Sequence, residues 1–173
     1  INPGILNFDF NKNDFSDYLS STKFVQSENE KIKTVQNSIT KGNKNKLDGI
    51  RSINKWVYEN IEKTPVFSVP NALDVLKSKK GDCNEHSVLF AALSRSYGIP
   101  AKIVLGLVYL NGRFYYHAWN EVYLGKWITA DATFGQMPSD ATHIKLIEGS
   151  IEKSVEIVKL VGKLNIQILE VYY

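Results

Sequence analysis

Nucleophilic chemistry in this 173-residue chain has one thiol to start from. Cys83 is the single cysteine, so no internal disulfide forms and no cysteine pair is on offer to a structural zinc. Asp82-Cys83-Asn84-Glu85 has the form of a capping box, with Asp82 as N-cap and Glu85 at the third helical position. A thiol in the first turn of a helix meets unpaired backbone N–H groups and the positive end of the dipole, and both favour thiolate. The same N–H groups could receive the oxyanion of an attacked carbonyl. A lone cysteine is also a common small core residue, so it acquires chemical meaning only with a base beside it.

Three histidines could supply that base. His86 lies three residues after Cys83 on the same helix and reads as packed or solvated. His143 follows a loop and has no acidic partner in its own strand. His117 sits mid-strand, sharing a face with Trp119 and Glu121, while Tyr116, Ala118 and Asn120 take the other face. The next strand carries Asp131. A three-residue loop Tyr123-Leu124-Gly125 pairs Val122 with Lys126 and sets His117 opposite Asp131, whereas a two-residue loop turns Asp131 to the wrong face. In the first register Asp131 fixes the imidazole tautomer and the other ring nitrogen meets the thiol, the nucleophile–base–orienter arrangement of acyl transfer. The plainer alternative makes Asp131 a turn cap and His117 a core histidine. Trp56 and Trp119 are candidate walls of a substrate site. Cys83 and His86 with His117 and either Asp131 or His143 form an odd ligand set for zinc, so no metal and no other cofactor is expected.

A helix and an antiparallel meander must hold these groups. Residues 1–27 read as an extended arm anchored by Phe8, Phe10, Phe15 and Phe24. Ile32, Val35 and Ile39 mark a helix over about 28–39, and Lys41, Lys44 and Lys46 a solvated loop. Leu47, Ile50, Ile53, Val57 and Ile61 mark a second helix over about 46–61. Pro65 and Pro70 bound a loop, after which Asn71 caps a short helix through Leu76. The Cys83 helix continues along Val88, Leu89, Ala92 and Leu93 until Gly98 and Pro100 stop it. The period then becomes strand-like over 103–110, with Asn111-Gly112 as a two-residue hairpin turn. Strands over 113–123 and 126–132, a loop over 133–142 and a short strand over 143–147 follow. Ile151, Val155, Val158 and Val161 suggest a closing helix ended by Gly162, and 164–171 a last strand. Helices first and a meander second make the class α+β. We read one domain over 1–173: an arm and helix over 1–45, a core over 46–133, and an extension over 134–173 that completes the sheet.

Hydrophobic residues at 43% and charged residues at 23% match an ordinary globular domain. A net charge of +3, with no basic stripe, gives no argument for nucleic acid. No apolar run approaches the ~20 residues a membrane span needs; the longest, 103–110, contains Gly106. The chain opens on Ile1, as a processed or excised piece of a longer polypeptide would. A signal peptide removed before Ile1 would make it extracytoplasmic, and the compartment is unknown.

Four motifs in order carry a family resemblance: Gly81-Asp82-Cys83-Asn84-Glu85-His86, Gly98-Ile99-Pro100-Ala101, His117-Ala118-Trp119-Asn120-Glu121-Val122, and Trp127-Ile128-Thr129-Ala130-Asp131-Ala132-Thr133. Over about Leu47 to Thr133 the chain resembles the transglutaminase-like superfamily, as a bacterial domain of that kind. The resemblance implies a papain-like core: N-terminal helices, with the nucleophile on a helix N-terminus, packed against an antiparallel sheet. It implies Cys83 as nucleophile, His117 as base and Asp131 as orienter. Ala132 stands where a proline is commoner in the family, a departure outside the triad. The implied activity is thioester-mediated acyl transfer on a protein or peptide amide, either hydrolytic (peptidase or amidase) or transglutaminase-type. The alternative is a catalytically silent interaction domain of a larger protein, contacting flanking domains.

Overall fold

The computed structural model describes residues 9–66 and 71–149. Helices come first: α1 (Ser16–Leu19), α2 (Glu30–Thr40), α3 (Lys46–Asn60), α4 (Ala72–Ser78) and α5 (Cys83–Ser96). Two short strands, β1 (Glu62–Lys63) and β2 (Lys80–Gly81), pair in parallel around α4. The main sheet follows: β3 (Ala101–Leu110), β4 (Arg113–Tyr123), β5 (Trp127–Ala130) and β6 (His143–Gly149), in spatial order β5-β4-β3-β6 and antiparallel throughout. The class is α+β, as the sequence implies. Among the described residues no helix is long and apolar enough to cross a membrane.

Short polar side chains set the helix starts. Asn29, Asn45 and Asn71 accept hydrogen bonds from the backbone N–H of Lys31, Asp48 and Asp74, at 2.9, 2.9 and 3.0 Å. Each satisfies a donor that a helix N-terminus leaves unpaired. At the far end of α5, Gly98 takes φ +79°, Ile99 N–H donates to Ser94 O, and the chain leaves through Pro100. Helix α5 is buried continuously from Glu85 to Arg95. Val88, Leu89, Phe90 and Leu93 fill the space between α2–α4 and the inner face of the sheet, formed by Ile103, Leu105, Ala118, Val122 and Ala130. Arg95 ties the end of α5 to the arm by donating to Ser20 O and Ala101 O.

Three details depart from the sequence reading. The arm is not extended throughout: Lys12–Phe15 and Ser16–Leu19 are short helical turns. They set Phe15 and Tyr18 against Trp127 at 5.9 and 5.2 Å between ring centroids. The hairpin β4–β5 pairs Tyr123 with Trp127, so its three-residue loop is Leu124-Gly125-Lys126, not Tyr123-Leu124-Gly125. Fully burying Leu124 and setting Tyr123 edge-on to Trp127 (5.5 Å between centroids) favour this slip, with Gly125 at φ +81° mid-loop. Each partner moves by two residues, so the faces are kept but His117 is not cross-strand from Asp131. Finally, β5 ends at Ala130, and β6 extends to Gly149. Phe8, Pro70, the closing helix over 151–161 and the last strand over 164–171 lie outside the described residues.

Gly106 is where the outer face of the sheet tolerates no side chain. The β3–β6 register shifts beside it, and a Cβ there would lie 2.0 Å from Ile144 O and 2.9 Å from the Trp119 ring. Gly106→Ala should therefore force β6 off β3 and cost about 1–3 kcal/mol, as overpacking does. Denaturant unfolding followed by circular dichroism measures this, and an unchanged midpoint would contradict the packing described.

Candidate active site

Cys83 is delivered by the pairing of Lys63 with Gly81 across β1–β2, which places the chain at the start of α5. The capping box forms: Asn84 N–H donates to Asp82 Oδ1 at 2.8 Å and Asp82 N–H to Glu85 Oε2 at 3.0 Å. Gly81 is required for it, since a Cβ there would sit 2.1 Å from Glu85 Cβ. The Cys83 side chain is half-buried against β4, where a backbone hydrogen bond from Ala118 favours its thiolate form. That bond does not prevail. Burial pushes the thiol up to about 12, and Asp82, Asp131 and Glu85 push in the same direction. Burial, then Asp82, also raises Glu85 to about 7. Burial thus works against the thiolate that the helix N-terminus favours.

His117 and Asp131 meet. His117 Nε2–H donates to Asp131 Oδ2 at 2.6 Å, and both residues are buried. Asp131 has left the β-ladder. Its N–H donates to Gln136 O and Gln136 N–H returns to Asp131 O, both at 2.9 Å. Its Oδ1 accepts from Thr133 N–H at 2.7 Å and Phe134 N–H at 3.1 Å. The two turn N–H groups claim Oδ1 and leave Oδ2 for the imidazole, which brings together residues that the ladder holds two positions out of register. Phe134 and Trp119 stack on the His117 ring, at 4.7 and 6.0 Å between centroids. With Nε2 on Asp131, His117 Nδ1 is the nitrogen left to act as a base; among the described residues no hydrogen bond yet joins it to Cys83.

His143 also belongs to this cluster, with both of its acids from outside its own strand. Its Nε2–H donates to the same Asp131 Oδ2 at 3.0 Å, and its Nδ1 faces Asp140 Oδ1 at 3.2 Å. The imidazole is 3% exposed and crosses the Trp119 ring edge-on at 5.1 Å. Burial alone would lower it, but hydrogen bonds and charge from Asp131 and Asp140 hold it above the ordinary histidine value. Nothing local in the sequence signals this, because the Asp131 carboxylate reaches His143 from across the sheet and Asp140 lies in the preceding loop.

The two tryptophans are placed differently. Trp119 is 2% exposed beneath His117 and His143, with Nε1 buried and without a hydrogen-bond partner among the described residues, so it is a floor rather than an open wall. Trp56 has its ring under Lys79 Nζ at 4.3 Å, and Tyr58 of the same helix α3 faces the 131–136 loop, at Gly135. His86 is buried, its Nδ1–H on Asp82 O at 2.6 Å. The set Cys83–His86–His117 does not assemble. Among the described residues His117, Asp131 and His143 do offer ligand atoms within 4.8 Å of one another. Their 2.6 and 3.0 Å separations are those of N–H donors on a carboxylate, so protons fill that space.

Residues 33–132 match the family model described as the transglutaminase-like superfamily. Kyphoscoliosis peptidase of Mus musculus is 30% identical over 118 residues, 57% of this chain and 17% of that protein. The chain thus spans about a sixth of the length of this curated relative. A crystal structure from Cytophaga hutchinsonii, provisionally described as a cysteine protease, superposes with a TM-score of 0.69 at 25% identity, covering 79% of this chain and 47% of that one. The periplasmic domain of TgpA from Pseudomonas aeruginosa shares the fold, with a TM-score of 0.57 at 16% identity over 73% of this chain and 49% of that one.

The buried carboxylate has a measurable consequence. Burial alone would raise Asp131, but the hydrogen bonds from His117 and His143 more than offset it and hold the group well below the usual carboxylate range. A depressed carboxylate contributes stability present above its ordinary value of about 4 and lost as pH falls through the folded value. Melting temperature should therefore drop between about pH 5 and 2.5. Asp131→Asn should be less stable at pH 7 by about 1–3 kcal/mol, since an amide donor would face two N–H donors, and its acid slope should be shallower. Asp140, also depressed, keeps that slope from vanishing. Equal slopes in both proteins would contradict the assignment.

Proposed function

The chain belongs to the transglutaminase-like superfamily, and on that premise we propose that it is a cysteine-dependent enzyme acting on the amide carbonyl of a protein or peptide. The observation that carries the reading is the 2.6 Å bond from His117 Nε2–H to Asp131 Oδ2. It fixes the tautomer that leaves Nδ1 as a lone pair, on the residue adjacent to Ala118, whose backbone meets the Cys83 sulfur. Asp131 is the orienter, His117 the base and Cys83 the nucleophile.

The reaction proceeds in two halves. His117 Nδ1 takes the Cys83 proton as sulfur attacks the carbonyl carbon. The oxyanion forms near the Cys83 N–H, which at the first helical position has no intrahelical partner. Imidazolium then returns the proton to the leaving nitrogen, the C–N bond breaks, and an amine departs from the thioester. Water attacks the thioester with His117 again as base, releasing a carboxylic acid and the thiol. Hydrolysis is the simpler outcome because water needs no second binding site; a lysine amine in its place would give cross-linking. Trp119, lying beneath the imidazole, supports His117 rather than the substrate.

One observation favours a second reading, a catalytically silent interaction domain: among the described residues no hydrogen bond joins the Cys83 thiol to His117, and burial pushes that thiol up. Turnover separates the two. Peptide amides should be cleaved with a mass-detectable acyl adduct on Cys83. Cys83→Ala should remove the adduct and the activity, and His117→Ala should lower kcat/KM by about 10²–10⁴-fold. Activity unaltered by either substitution would overturn the enzymatic reading, and absence of adduct and turnover across peptide amides would favour the silent domain.

A further inference from the structure

The cluster contains more than a triad needs. Asp131 Oδ2 receives two imidazoles, His117 at 2.6 Å and His143 at 3.0 Å. They differ in what their second nitrogens meet. His117 Nδ1 has no acceptor among the described residues, so a neutral ring satisfies its contacts. His143 Nδ1 faces Asp140 Oδ1 at 3.2 Å and Asp140 O at 3.3 Å, while its Nε2 faces Asp131. A neutral imidazole has one N–H, and only imidazolium donates from both nitrogens. The acceptors therefore assign the charge: His143 carries it, and His117 does not need to.

We propose that His143 is a positioning residue for the chemistry of His117: as an imidazolium it shares and compensates the Asp131 carboxylate, so that His117 keeps a free Nδ1 to take the Cys83 proton. This rests on the Cys83–His117 reading given above. Without compensation, a buried carboxylate at 2.6 Å would draw a proton onto His117, and a base already protonated cannot accept the proton of a neutral thiol. The titratable groups facing His143 are His117 from β4, Asp131 from the end of β5 and Asp140 from the following loop. On β3, Val108 and Gly106 bring no charge, and Lys145 along β6 is engaged by Glu121 at 2.9 Å and Glu148 at 3.3 Å. The direction of the His143 shift, above the ordinary histidine value, agrees with this assignment.

His143→Gln tests it, because the glutamine amide can keep a donor on Asp131 while the charge is lost. In the full chain labelled with ¹⁵N-histidine, NMR at pH 7 should show His143 protonated on both ring nitrogens; a neutral His143 overturns the proposal, and this measurement needs no variant to fold. The pH profile of Cys83 alkylation by iodoacetamide is the second readout. In His143→Gln the uncompensated Asp131 should favour the thiolate–imidazolium pair, moving the profile about one pH unit lower, an about tenfold faster reaction on its rising limb. Adding His117→Ala should cancel that gain. If His117→Ala shifts the profile and His143→Gln does not, the proposal fails and the enzymatic reading stands. If neither substitution shifts it, thiol and imidazole are uncoupled and both fail together.

Discussion

The site depends on one buried carboxylate. Asp131 is fully enclosed, and a carboxylate removed from water is tolerated only when its lone pairs are all engaged. Its oxygens accept four hydrogen bonds, and each shapes something. The N–H groups of Thr133 and Phe134 curl the chain after β5 into a turn, which lays the Phe134 ring on His117. The imidazoles of His117 and His143 bind the other oxygen and fasten β6 to the end of β5 across two intervening strands. Backbone, loop and sheet are thus arranged around satisfying a single charge.

The second constraint is the entry to α5. A helix buried along most of its length can present only its first turn to a reactant. Its position is fixed by the parallel contact of β1 with β2, by the capping box, and by the absence of a side chain at Gly81. Further links run from the first turns of α5 to β4: Tyr116 O–H donates to Asn84 Oδ1 at 2.7 Å, and Asn120 Nδ2–H to Ser87 O at 3.1 Å. Their strand ends, Tyr116 and Asn120, lie on either side of His117, and their helix ends, Asn84 and Ser87, follow Cys83. The thiol and imidazole are therefore held by two independent supports that meet at one seam.

What was legible in the sequence was what is local. The capping box, the Asn-Gly hairpin with both residues at positive φ, and the Asn71 helix cap are decided by neighbouring residues, and they form. The face shared by His117, Trp119 and Asp131 survives because parity along a strand depends only on whether the loop is odd or even. The loop frame was misplaced by one residue because Leu124 belongs to the core, which turn chemistry alone does not reveal. His143 is not singled out by its local sequence because one of its acids comes from across two intervening strands and the other from a loop. Trp56 and Trp119 looked equivalent as aromatic walls; only packing distinguishes a ring covered by Lys79 from one forming the floor of the imidazole cluster.

At the thiol two effects oppose each other. A helix N-terminus contributes roughly 0.3–1 kcal/mol to a nearby negative charge at an exposed site and up to about 2 where partly buried, against the ~1.4 kcal/mol that moves a pKa by one. Burial acts in the opposite direction and more strongly, and at Cys83 it is joined by the acidic groups that build the cap itself, Asp82 and Glu85. The capping box that places the thiol thus also keeps it protonated. In the proposed chemistry, burial works against a preformed ion pair at this nucleophile. Its proton must leave as the carbonyl is attacked, which demands a neutral imidazole waiting at the seam. That demand gives the second histidine on Asp131 a physical purpose: the carboxylate orients His117 through one hydrogen bond, while a large share of its charge is answered elsewhere.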